Sequence, residues 1–182
     1  MNINIATSSD YTIAPDRKTV MTLHGYESNN TGTKIERLRE IYNVINPKIN
    51  FTEKNCYRNL VKLAEKYKPN IIVGSSMGGY LGYHLSNETS IPCLLFNPAM
   101  IETGSGNVKP TVETTNNNLS RKFVVTGLHD EVVNPVLLKE WLIRNANNAV
   151  ILEENMGHRI PESVYFENVQ KILMLLSCIS YS

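Results

Sequence analysis

Neither sign of charge dominates this chain, and that absence removes a class of functions at the outset. Eighteen Lys and Arg stand against 17 Asp and Glu, a formal net charge of +1 over 182 residues. There is no clustered basic stretch of the kind that salt-dependent phosphate binding requires, so no nucleic-acid partner is expected. Long apolar runs are missing as well. Ile172-Leu173-Met174-Leu175-Leu176 is far shorter than the roughly 20 residues needed to cross a bilayer, and no membrane is expected as a partner. Met1 to Ser9 has neither a basic start nor a long apolar core, so it is not expected to act as a secretory signal. Cysteine is sparse: Cys56, Cys93 and Cys178 are widely spaced and show no metal-ligand pattern. No metal and no other cofactor is expected. Cys93, inside Ile91-Pro92-Cys93-Leu94-Leu95-Phe96, reads as a small buried hydrophobe. Reduced thiols and the lack of a signal point to the cytoplasm.

Apolar residues in short runs make up much of what is present. At 42% hydrophobic, a single domain of this length can bury roughly 70% of the surface its unfolded chain exposes, and the whole of 1–182 is expected to form one domain. Short apolar runs alternate with helical periodicity, the pattern of a largely parallel sheet built from βαβ units. Strands are expected near 19–24, 48–51, 70–75, 91–96, 121–127 and 148–153. One helix is expected to place Ile35, Leu38, Ile41, Tyr42 and Ile45 on a single face. A final helix, beginning near Pro161, does the same with Val169, Ile172, Leu173 and Leu176. The Gly-, Thr- and Asn-rich stretch 97–118 breaks the alternation and is expected to form a cap-like loop insertion bordering the site.

The most informative stretch is Asn70-Ile71-Ile72-Val73-Gly74-Ser75-Ser76-Met77-Gly78-Gly79-Tyr80. A strand runs into Gly-x-Ser-x-Gly and then into a helical pattern, the layout of a nucleophile elbow. The turn brings flanking backbone so close that positions 74 and 78 can carry little beyond hydrogen. By composition alone such a motif arises roughly 0.04 times in a chain like this one. Phosphate-binding loops fail on residue identity, since Tyr80 rather than Lys follows Gly79 and Met77 stands where a dinucleotide fingerprint needs glycine.

A serine hydroxyl needs a base to become a nucleophile, and a base that is neutral near pH 7 suits imidazole. His158, in Asn155-Met156-Gly157-His158 after an apolar run, is the expected base. Asp130 is the one aspartate between Ser76 and the C-terminus, and it is expected to orient the imidazole. Glu131 is its fallback. The order Ser, acid, His is that of the elbow-bearing hydrolases. An oxyanion would be held by the backbone N–H of Met77, just after the nucleophile, and by that of Tyr26 in the loop His24-Gly25-Tyr26. Gly25 lets that backbone bend toward the site. His24 lines the site as a structural residue, and His84 and His129 are read as ordinary side chains.

On His24-Gly25-Tyr26, Gly74-Ser75-Ser76-Met77-Gly78-Gly79, Gly127-Leu128-His129-Asp130 and Gly157-His158, the chain resembles the compact α/β-hydrolases, above all the small bacterial YqiA-like esterases. The resemblance implies a minimal α/β-hydrolase fold of three layers, with a mostly parallel central sheet and helices on both faces. The first strands of a longer α/β-hydrolase would be reduced or absent. It further implies cofactor-free hydrolysis of small-molecule carboxylic esters or thioesters, with Ser76, Asp130 and His158 as the triad. The polar character of 97–118 suits short or compact acyl groups. Acyl transfer, amide cleavage, and a non-catalytic binding protein on the same scaffold are the alternatives.

Overall fold

Alternation of apolar side chains along each strand dictates a sheet covered on both faces. In the computed structural model, which describes residues 11–26, 28–101, 109–112, 120–146 and 148–179, successive residues divide between two cores. Val20, Ile71, Val73, Leu94, Phe96, Phe123 and Val125 pack on one face. Met21, Leu23, Ile72, Cys93, Leu95 and Val124 pack on the other. Both faces being apolar, the strands read as near-continuous hydrophobic runs, as buried parallel strands do.

The described residues form, in order, β1 (Thr19–Leu23), α1 (Thr33–Ile41), β2 (Asn43–Ile45), α2 (Cys56–Tyr67), β3 (Ile71–Ser75), α3 (Met77–Thr89), β4 (Cys93–Phe96), β5 (Lys122–Gly127), α4 (Pro135–Asn145), β6 (Ala149–Glu154) and α5 (Glu162–Ile179). The strands lie in the order β2-β1-β3-β4-β5-β6, and all five pairings are parallel. This is the three-layer α/β architecture expected. Ile35 and Leu38 of α1 join Val169, Ile172 and Leu173 of α5 on one face of the sheet. Leu60 and Ala64 of α2, Leu81 and Leu85 of α3, and Leu138 and Leu142 of α4 cover the other. The chain first steps from β1 to β2, then returns past β1 to β3. The sheet therefore has its switch point between β1 and β3, and it is beyond the carboxyl ends of the strands at such a point that open α/β sheets bind ligands.

Two expectations are corrected here. The helical stripe predicted through Ile45 ends at Ile41, and Asn43-Val44-Ile45 is strand β2. Tyr42 is already extended, at φ −119° and ψ 157°. The Asn43 side chain bonds the N–H and C=O of Ala14 and the C=O of Arg17, tying this segment to the strand edge rather than to a helical turn. Pro47 adds to this, because the residue before a proline is pushed out of the helical region. The strand predicted near 48–51 is a loop. Its apolar residues are buried all the same, Ile49 and Phe51 at 8% and 7% exposure, and Phe51 packs on the loop after β1.

The cap-like insertion falls largely outside the described residues, which omit 102–108 and 113–119. Its described base lies over α3: the Lys109 ammonium sits 5.3 Å from the centre of the Tyr80 ring and donates to Met100 O at 2.9 Å. No helix among the described residues is long and apolar enough to cross a membrane.

Candidate active site

Ser76 stands at the carboxyl end of β3, beside the switch point, at φ 51° and ψ −119°. A non-glycine residue at positive φ is strained, and such strain gathers at functional sites. The space around the turn shows what maintains it. A Cβ on Gly78 would lie 2.2 Å from Leu23 O and 2.4 Å from His24 O, and one on Gly74 would lie 2.4 Å from Gly78 O. Ser76 occupies the N-cap position of α3, where serine commonly bonds the helix N–H groups. Here its side chain makes no capping bond. The hydroxyl is therefore not engaged as a cap, and the first N–H groups of α3, Met77 foremost, are donors without intrahelical partners.

The loop after β1 approaches the same point. A Cβ on Gly25 would come within 3.3 Å of Ser76 Cβ, so the backbone of this loop lies against the serine. His24 is wholly engaged in holding it. Its Nε2 lies 3.0 Å from the Ile49 N–H, which can only donate, so Nδ1 carries the proton and donates to Gly25 O at 2.8 Å. Burial pushes the His24 pKa down, in keeping with a neutral ring. Phe51 packs against both His24 and Tyr26, with ring centres 5.6 Å and 5.4 Å away. The tip of this loop, with the Tyr26 backbone, is thus fixed from beneath.

Asp130 and His158 follow β5 and β6, adjacent strands whose ends are stapled together. Leu128 N–H donates to Glu154 O at 2.9 Å and His129 N–H to Met156 O at 3.0 Å. Gly127 must be small, since a Cβ there would lie 2.6 Å from Met156 O. The Asp130 carboxylate is almost fully buried, its side chain 1% exposed. One of its oxygens accepts from Val132 and Val133 N–H at 2.8 Å each. The pair of oxygens faces His158 Nδ1 at 3.0 and 2.9 Å. Glu131, by contrast, accepts from the His158 backbone N–H at 3.2 Å. Of these two acidic side chains, Asp130 faces the imidazole and Glu131 the peptide. His129 is exposed.

β4 joins the two halves of the site, through a residue that sequence reasoning passed over. Ser76 N–H donates to Phe96 O, and Ala99 N–H donates to Ser76 O, both at 3.0 Å. Asn97, between them in the chain, is 1% exposed and at φ 44°, a left-handed conformation that asparagine tolerates. Its Oδ1 accepts from Gly127 N–H at 2.7 Å, and its Nδ2 donates to Gly157 O at 3.2 Å and His158 O at 3.3 Å. The one available signal was a polar residue closing an apolar strand before a proline.

His84 is less ordinary than its sequence suggests. It is packed edgewise on Tyr80 and Tyr83, at 4.7 and 5.3 Å between ring centres. Its Nδ1 is buried without a hydrogen-bond partner. Burial, assisted by the Lys109 charge, pushes its pKa down to about 4. Burial also raises the Cys56 and Cys93 thiols to about 11, so neither is a ready nucleophile. Among the described residues, no group of three or more His, Cys, Asp and Glu is placed to hold a metal ion.

The parallel sheet, its switch point and the elbow define an α/β-hydrolase fold. Solved structures share it. A member of the α/β-hydrolase superfamily from Xanthomonas campestris pv. campestris superposes with a TM-score of 0.64 at 18% identity, covering 89% of this chain and 98% of its own. A carboxylesterase from Mesorhizobium loti gives 0.59 at 17% identity, over 86% and 88% of the two chains. The type II thioesterase BorB of the borrelidin biosynthetic cluster gives 0.61 at 14% identity, over 91% and 92%. At such identities the likeness is one of fold. No curated protein matches the sequence. Residues 19–173 match the model of the uncharacterised protein family UPF0227, and the chain belongs to that family.

Proposed function

We propose that this protein is a serine hydrolase that cleaves carboxylic esters or thioesters through an acyl-enzyme. The observation that carries the reading is the combination of an uncapped Ser76 on a strained elbow with an imidazole held 2.9 Å from a buried carboxylate. In the proposed reaction Ser76 Oγ attacks the acyl carbon and His158 Nε2 takes its proton, while Asp130 stabilises the imidazolium. The oxyanion is held by the N–H groups of Met77 and Tyr26, at the N-terminus of α3 and on the loop braced by His24 and Phe51. The intermediate collapses as His158 returns the proton to the leaving alcohol or thiol. Water then repeats the cycle, releasing the acid and restoring Ser76. His24 takes no proton in this scheme because both its ring nitrogens are engaged. The carboxylesterase and thioesterase among the structural neighbours support the substrate class.

A fluorophosphonate reagent tests the proposal directly, because labelling demands an activated serine rather than mere binding. The wild type should be labelled at Ser76, and Ser76→Ala should not. On acyl esters, Ser76→Ala and His158→Ala should each lose on the order of 10⁶ in kcat, as members of a unit do. Ser75→Ala should be mild. Retention of activity within tenfold of wild type in Ser76→Ala would overturn the assignment.

A further inference from the structure

We propose that Asn97 is a positioning residue, one that sets the separation between the loop bearing Asp130 and the loop bearing His158. The inference rests on the hydrolase reading above. Its starting point is the amide's orientation, which its neighbours leave no freedom. Gly127 N–H can only donate, so Oδ1 must face it, and the carbonyls of Gly157 and His158 can only accept, so Nδ2 must face them. A single rigid amide thus spans the end of β5, three residues before Asp130, and the peptide of His158 itself.

The His158 backbone is then held from both sides, its N–H by Glu131 and its C=O by Asn97. Two further facts place Asn97 in the frame of the nucleophile. Its own N–H donates to Val125 O at 2.9 Å, continuing the parallel ladder, and the residue before it accepts the Ser76 N–H. Asn97 therefore refers the imidazole to the serine, whose two loops are otherwise separated by β4 and β5. No other uncharged side chain of this length supplies both an acceptor and a forked donor. Aspartate keeps the acceptor and, when ionised, turns oxygens toward the two carbonyls. Glycine suits the positive φ without strain and deletes the amide.

Asn97→Gly and Asn97→Asp, each checked for folding by circular dichroism and thermal melting, test the inference on acyl ester hydrolysis. Both should lower kcat ten- to hundredfold with KM within twofold of wild type, because the substrate's resting contacts are left in place. In the Asp130→Asn background Asn97→Gly should cost less than threefold, since the pair it aligns is already broken. A reading without substrate accompanies this. The His158 Nδ1–H proton signal, recognised by its loss in His158→Ala, should be visible by NMR in the wild type and lost to water exchange in Asn97→Gly. If either variant folds and keeps kcat within twofold of wild type, or if Asn97→Gly is as costly in the Asp130→Asn background as in the wild type, the inference fails. If instead Ser76→Ala remains active, it is the hydrolase reading that has failed.

Discussion

Two neighbouring carboxylates, Asp130 and Glu131, illustrate how finely a single residue step decides a role. Successive side chains of the turn point apart, and Asp130 reaches the imidazole while Glu131 reaches the His158 peptide N–H. Asp130→Asn keeps the shape but removes the charge that stabilises an imidazolium, and should reduce kcat by about 10⁴ if it behaves as triad acids do. Glu131→Gln keeps an acceptor for the same N–H and should cost less than tenfold. Comparing kcat for the two variants decides the matter, and a larger loss in Glu131→Gln would show that the acid had been assigned to the wrong residue. At this scale the sequence was informative wherever geometry demanded glycine. Gly74, Gly78 and Gly127 mark points where backbone meets backbone, and the chemistry-bearing side chains stand beside or just after them. Asn97 was not legible, because its role depends on three partners between 30 and 61 residues away and no local pattern announces it.

Among the elements, α3 carries the elbow at one end and a pH liability along its length. His84 is neutral in the folded protein, with a pKa lowered from 6.5 to about 4. The unfolded chain takes up that proton first, so stability from this group is full above about pH 6.5 and is lost as the pH falls toward 4, by up to about 3 kcal/mol. Urea unfolding between pH 7 and 4.5 should show a steeper acid decline in wild type than in His84→Gln. Equal slopes would mean that His84 is not the group responsible. The boundary between α1 and β2 was the least legible of the elements. Ile35, Leu38 and Ile45 keep helical spacing, yet Ile45 packs in the core on the opposite face of the sheet from the other two. Periodicity alone cannot distinguish one stripe from a stripe that has crossed the sheet. In the same way, Ile49 and Phe51 alternate as a strand would, although they lie in a loop, Phe51 against the rings of His24 and Tyr26 and Ile49 bonded through its N–H to His24. The strands β3 to β6 were plain because each is an apolar run ended by a punctuating Gly, Asn or Ser.

For the whole molecule, the sequence outside the described strands and helices bears on the acyl group that the proposed hydrolase would accept. A deep acyl tunnel needs apolar walls, and the stretch that the sequence pattern leads one to expect at the border of the site, 97–118, is polar, with Glu102-Thr103-Gly104-Ser105-Gly106-Asn107 and Thr114-Thr115-Asn116-Asn117-Asn118. Each methylene buried against a wall adds roughly 0.8 kcal/mol to binding, and without a wall that gain is absent. Across p-nitrophenyl esters from acetate to palmitate, kcat/KM should be greatest for short acyl groups. An optimum at palmitate would show that a tunnel exists.

The strand order has a further consequence, for the order in which the molecule comes apart. β6, which delivers His158, is an edge strand whose residues are half-exposed or exposed, whereas β3, which delivers Ser76, lies inside the sheet and is buried along nearly all its length. Local opening begins where burial is least and backbone pairing is one-sided. In rising urea, hydrolysis should therefore cease before far-ultraviolet circular dichroism changes, with amides of β6 exchanging ahead of those of β3. Coincident loss of activity and secondary structure would mean that the sheet opens as one unit. The same asymmetry holds in time, since a chain emerging from the ribosome carries Ser76 at a point 82 positions before His158. On the proposed mechanism, hydrolysis begins only once β6 has docked.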